Sequence, residues 1–242
     1  GKDNIPFHMV VFPAMLHGVG DGYILPANVP ANEFYNLEGG KFSTSEGWFI
    51  PLDTFASDYA IDAARYALIV GAPETRDTEF TWKGFQSRVN DELADTLGNL
   101  AARVLRFVER YRGGVVPGRA DEPSAAEQGL LALRGTKTEE FTQAILGFQF
   151  RKAASALMDL AREGNRVFDA GQPWRTRRDA PDRCSTTLWA GAETLRSLAL
   201  LAAPIMPRAA QRLWEMLGLP GSVADRRLSE AGATVFPGAG GG

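Results

Sequence analysis

The sequence is poor in the residues that build disulfides, metal centres and membrane spans. Of 242 residues one is a cysteine, Cys184, and two are histidines, His8 and His17. A lone thiol cannot form an internal disulfide, so a reducing, cytoplasmic setting is the expectation. Two histidines remote from that cysteine offer no ligand set for structural zinc, and no residue is assigned to a metal. The longest apolar runs, such as LRSLALLAAPIM at 195–206, contain an arginine or end at prolines. They fall short of the roughly 20 residues a membrane span needs, so no membrane partner is expected. GKDNIPFH at the start has neither the basic stretch nor the cleavage pattern of a signal peptide. Basic excess is missing too: 26 Lys and Arg against 29 Asp and Glu leave a formal charge of -3. That balance excludes a non-specific nucleic-acid coat and leaves room for a shaped RNA site.

What is present suffices for a core, since 45% of residues are hydrophobic and 23% charged. HMVVFPAML predicts a short buried helix. EFYNLEGGKFSTSEGWFI, at 33–50, predicts two short extended segments around a glycine- and serine-rich loop, so residues 1–52 read as the tail of an α/β domain. Residues 53–82, with the short helix AARYALIV and the segment APETRDTEFTW, read as a connector. Trp82 opens the longest periodic stretch, with Phe85, Val89, Leu93, Leu97, Leu100, Val104, Phe107 and Tyr111 at spacings of three and four. Glycine and proline at 113–118 stop it, and a polar segment through Thr136 leads to a helix at about 139–163. The loop GQPWRTRRDAPDR separates this from a helix near 184–202, which Pro204 and Pro207 end before a last helix at RAAQRLWEML. The fold class is therefore α/β followed by mainly α, with a helical bundle over 83–219 and a partly flexible tail over 220–242.

Three groups of residues carry chemistry. Lys41, Ser43, Thr44 and Ser45, beside Gly39, Gly40 and Gly47, form a loop that can wrap phosphates or serve as an ordinary hairpin. It is not a Walker loop, because the GxxxxGK[ST] spacing is absent. Asp3 and His8 can line a pocket, or can cap a helix and pack in a partly polar core. Asn99 and Arg103, four residues apart on one helix face, combine an amide able to read a base edge with a guanidinium able to bridge base and phosphate. Trp174, led by Pro173, can stack on an unpaired base or fill a core. Trp82, Trp189 and Trp214 lie in helical patterns and read as packing residues. Arg76 and Asp77 read either as an ion pair between domains or as an RNA contact.

In order along the chain, GKDNIPFH, FPAML, EFYNLEGGKFSTS, DAARYAL, PETRDTEFTW, VNDELADTLGNLAARVL, NRVFDAGQPW and AAPIMPRAAQRLWEMLGL closely resemble methionyl-tRNA synthetases over residues 1–219. The resemblance implies the end of a class I nucleotide-binding catalytic domain, a connector and an antiparallel helical anticodon-binding bundle. It implies a reaction in which methionine and ATP, with Mg2+, give methionyl-adenylate, and the methionyl group then passes to tRNA(Met). Asp3, His8 and Phe12 match residues of the family's methionine pocket. Lys41 to Ser45 match its mobile signature loop KMSKS, with Thr44 replacing the second lysine and Glu46 standing where an arginine is common. Asn99, Arg103 and Trp174 match positions that recognise the CAU anticodon. The HIGH-like motif of the family's amino-terminal half is not among these residues. The expectation is a partner half, in cis or as a separate chain, and no activation of methionine by this chain alone. The alternatives are a synthetase paralogue passing its amino acid to a small-molecule acceptor, or a non-catalytic tRNA-binding or interaction module.

Overall fold

A computed structural model describes residues 1–20 and 22–236. Two short strands, β1 (Tyr35–Leu37) and β2 (Thr78–Phe80), pair in parallel with Leu37 opposite Phe80. A parallel pair needs a long crossover, and here it runs through α2 (Leu52–Asp58) and α3 (Ile61–Val70). Leu37, Phe55, Ala64, Ala67, Phe80 and Phe85 form a small core around the pair. Trp82 packs against Phe55, Phe80 and Phe85 with ring centroids 5.2–6.3 Å apart while keeping 40% of its surface exposed.

The amino-terminal segment differs from the expectation of a buried helix. A π-helical turn, Phe7–Val11, runs into α1 (Phe12–Val19), which Gly20 ends at φ 81°. Neither contains a buried residue, and Phe7, Val10, Val11 and Met15 are exposed. The apolar pattern is helical as read, but no described element packs over it.

The bundle begins at α4 (Trp82–Ser87), where the Thr81 hydroxyl accepts the Gly84 amide. A π-helical stretch, Arg88–Gly98, carries it into α5 (Asn99–Arg112). Tyr111, which the periodicity placed on the apolar stripe, is 38% exposed. Next come α6 (Ala125–Leu146) and α7 (Phe150–Gly171), in place of one helix at 139–163. The start of α6 is set by a capping box: Ser124 accepts the Glu127 amide, and the Glu127 carboxylate accepts the Ser124 amide. The break between the two helices falls at Gly147 and at Phe148, whose φ is 58°.

The segment read as a loop after α7 holds a short helix, α8 (Pro173–Asp179), started by proline at a position where a missing N–H costs nothing. It leads into α9 (Pro181–Ala202), and α10 (Pro207–Met216) follows. Helix α9 is buried on every side from Cys184 to Ala202, because α5, α6, α7, α8 and α10 all pack on it.

Within the tail over 220–242, expected to be partly flexible, residues 220–236 lie against the bundle. Turns at Val223–Asp225 and Leu228–Gly232 pack on the bundle, with Val223 and Ala231 buried. The segment is anchored by polar groups that hydropathy cannot reveal. Buried Arg134 pairs with Glu193 at 3.1 Å and donates to the Ala231 and Ala233 carbonyls, while Glu193 accepts the Val235 and Phe236 amides at 2.7 and 2.6 Å. Residues 237–242, the rest of that expected tail, lie outside the described residues. No helix among those described is long and apolar enough to cross a membrane.

Candidate functional site

The helices α5, α7 and α8 meet where three of the sequence candidates fall. Asn165, on α7, donates from Nδ2 to the Thr96 and Ala161 carbonyls at 2.9 and 3.2 Å. Those two acceptors fix the amide, so its Oδ1 is turned outward. It accepts there from Asn99 Nδ2 at 3.3 Å and from Arg103 Nη1 at 3.5 Å. Arg103 also pairs with Asp169 and lies 4.8 Å over the Phe168 ring. Phe168 is buried, and its ring is 6.5 Å from that of Trp174, which is 45% exposed. The turn into α8 aims this indole: Gln172 is left-handed at φ 43°, and Pro173 fixes the first helical φ.

Asn99, Arg103 and Trp174 are thus neighbours on one face, although 66 positions separate Asn99 from the Asn165 that aligns it. The face offers an amide, a guanidinium and an exposed indole, which together can hydrogen-bond and stack a splayed base. A base edge or phosphate arriving at Arg103 must share it with Asp169. The role of Asp169 was missed in the sequence. Its spacing of four from Asn165 on one helix was the available signal.

The second group is a tight hairpin. Ser43 and Trp48 exchange backbone hydrogen bonds at 2.9 and 2.8 Å, and Gly47 takes φ 70° to close the turn. The Ser43 hydroxyl lies 3.2 Å from that of Ser45 and accepts the Glu46 amide at 3.3 Å. Lys41 is exposed, with its ammonium 5.7 Å from the centre of the Phe34 ring; Lys2 stands over the same ring at 4.7 Å. Asp77 binds the Phe34 amide at 3.0 Å and pairs with Lys2 at 3.5 Å, not with Arg76. That amide, with help from Lys2 and Lys41, holds the Asp77 carboxyl below its ordinary range. A cation and three hydroxyls on one short exposed turn fit a phosphate group.

The third group is only partly assembled. His8 and Phe12 line a cavity of about 600 Å³ together with Gly1, Asn4, Leu16 and Ile24, while Asp3 sits exposed in the preceding turn and does not line it. Lys41 to Ser45 do not reach this cavity either. Among the described residues no group of three or more His, Cys, Asp or Glu is placed to hold a metal ion.

A parallel strand pair thus leads through a connector into a helical bundle, with a lysine- and hydroxyl-bearing turn before the connector. Residues 1–105 match the family model for class I tRNA synthetases (M). Residues 116–238 match the anticodon binding domain of methionyl tRNA ligase, and the chain belongs to that methionyl-tRNA ligase family. It is 43% identical over 224 residues to the methionine-tRNA ligase of Salinibacter ruber, covering 90% of this chain and 31% of that one. With the methionine-tRNA ligase of Pyrococcus horikoshii it shares 37% over 227 residues, again 90% of this chain and 31% of the other. The structure of Mycobacterium tuberculosis methionyl-tRNA synthetase bound by methionyl-adenylate superposes with a TM-score of 0.87 at 30% identity, over 98% of this chain and 47% of that chain. The chain therefore spans about a third of the length of the curated relatives it matches.

Proposed function

We propose that this chain is part of a methionine-tRNA ligase, which joins methionine to AMP from ATP and passes the methionyl group to tRNA(Met). The observation that carries the reading is the convergence of Asn99, Arg103 and Trp174 on one face through Asn165 and Phe168. On this reading Trp174 stacks on an anticodon base, and Asn99 and Arg103 read its edge. Lys41 and the hydroxyls of Ser43, Thr44 and Ser45 hold ATP phosphates, whose charge Mg2+ partly offsets. Thr44 brings no charge, so Lys41 is the cation this turn supplies. His8 and Phe12 form one wall of the methionine pocket, and Asp3 meets the amino group once the rest of the catalytic fold is in place.

The test is the affinity of the chain for an RNA stem-loop carrying CAU, beside one with an altered anticodon, at a fixed salt concentration. A preference for CAU of tenfold or more is expected, and it is lost in Trp174→Ala because the base is then no longer held against Asn99 and Arg103; the stacking itself contributes roughly 1–3 kcal/mol. Weak, indiscriminate binding would overturn the reading and favour a paralogue with another acceptor.

A further inference from the structure

We infer that the carboxy-terminal half of α5 and the adjoining part of α8 form a second RNA contact, a guanidinium and tyrosine track that grips the sugar-phosphate backbone beside the read bases. The inference rests on the proposed anticodon reading. It adds a binding surface with a separate chemical role: affinity without sequence choice.

Three observations carry it. Arg106 and Arg110 follow Asn99 and Arg103 at spacings of three and four, so all four lie along one stripe of the helix. At 1.5 Å per residue this stripe extends about 10 Å past Arg103. Neither Arg106 nor Arg110 has a carboxylate partner among the described residues, in contrast to Arg103 with Asp169. Lastly, α8 brings a further cation to the end of the same stripe. The Arg177 guanidinium lies 4.5 Å over the Tyr111 ring, Arg110 lies 5.4 Å from that ring, and Phe107 packs behind it at 4.6 Å.

The arrangement suits a polyanion. An exposed tyrosine ring in an apolar stripe loses burial, yet here it orients two guanidiniums without neutralising either. A carboxylate partner would cancel the charge. A ring face holds the planar fork in place and leaves its N–H groups free for phosphate oxygens. In a chain with net charge -3, such a local concentration of unpaired arginine is the feature expected where backbone phosphates dock. Continuity with the Asn99, Arg103 and Trp174 face selects RNA flanking the read bases as the occupant, over an acidic protein surface.

The measurement is binding of the CAU stem-loop and its altered-anticodon partner across a salt series, for the wild-type chain, for Arg110→Ala with Arg177→Ala, and for Tyr111→Leu. Arg110 and Tyr111 are exposed and Arg177 is half-buried, and thermal melting checks that each variant is folded. The double variant is expected to lose about tenfold or more in affinity for both RNAs in parallel, with its log-log salt slope reduced by about one to two. Tyr111→Leu is expected to lose a smaller factor, again equally for both. Unchanged affinity and slope, while Trp174→Ala still abolishes the CAU preference, would sink the track and leave the anticodon reading intact. A loss confined to the CAU stem-loop would also sink it, because the residues would then be reading bases. Absence of any stem-loop binding by the wild-type chain would remove both proposals.

Discussion

Asn165 carries no charge, yet two backbone carbonyls lock its amide so that one oxygen serves both Asn99 and Arg103. A side chain in this position decides geometry more than energy, which is why the spacing of Asn99 and Arg103 was readable while the group aligning them was not. Glu127 is a second residue whose partners are distant in sequence. It closes the cap of α6 and also accepts from Arg183 at 2.6 Å and Thr187 at 2.7 Å on α9. Burial alone would raise its carboxyl; the bonds from Arg183, Thr187 and Ser124 outweigh this and hold it below its ordinary value. A depressed acid stabilises the fold above its unfolded pKa, about 4.3, and that contribution disappears as pH falls through the folded value. The urea midpoint of Glu127→Gln should therefore lie below that of wild type by a constant margin from pH 8 to about 5. The margin should then shrink below about pH 4. A margin unchanged down to acid unfolding would contradict this account.

At the scale of elements, the join of α7, α8 and α9 depends on a missing side chain. A Cβ on Gly171 would stand 2.5 Å from Thr187 Cγ2 and 2.7 Å from its Oγ1, and Thr187 is held in place by Glu127. Gly171→Ala is expected to cost about 1–3 kcal/mol by overpacking. Because Trp174 follows three residues later on α8, the same variant should weaken the CAU preference as well. A calorimetric melt with stem-loop binding measured in parallel checks both; an unchanged melting temperature would refute the close-packing argument. The sequence patterns were readable here where one face of a helix is apolar, as in α5. They misled where capping and turn geometry decide. Ser124 and Glu127 form a capping box legible in sequence, within a segment whose polar composition reads as a loop. Phe148 breaks α6 from α7 by a backbone angle that its apolar side chain conceals. The short helix α8 has too few residues to show a period.

Across the whole molecule, the connector is tied to the bundle by polar contacts on α3. Asp62 Oδ2 accepts the Ala209 amide at 2.6 Å, which places a carboxylate at the start of α10, and Arg65 donates to the Ile205 and Pro204 carbonyls at 2.8 and 3.0 Å. Asp62→Ala removes this long-range cap and should cost about 1–2 kcal/mol. It should also speed proteolytic cutting of the connector near residues 71–78. An unaltered digestion pattern would show that the joint is held by packing alone. The order of motifs by itself determined the family, the α/β-then-helical architecture and the candidates in the Lys41–Ser45 turn and on α5. These are local matters of spacing and residue type, which a linear chain displays directly. Only the tertiary structure decided that Trp174 joins the face that Asn99 and Arg103 share, that Asp3 stands apart from the cavity of His8 and Phe12, and that residues 220–236 are anchored. Each of these depends on groups far apart in the chain meeting across packed helices, and such meetings leave no period, cap or composition for a sequence to show.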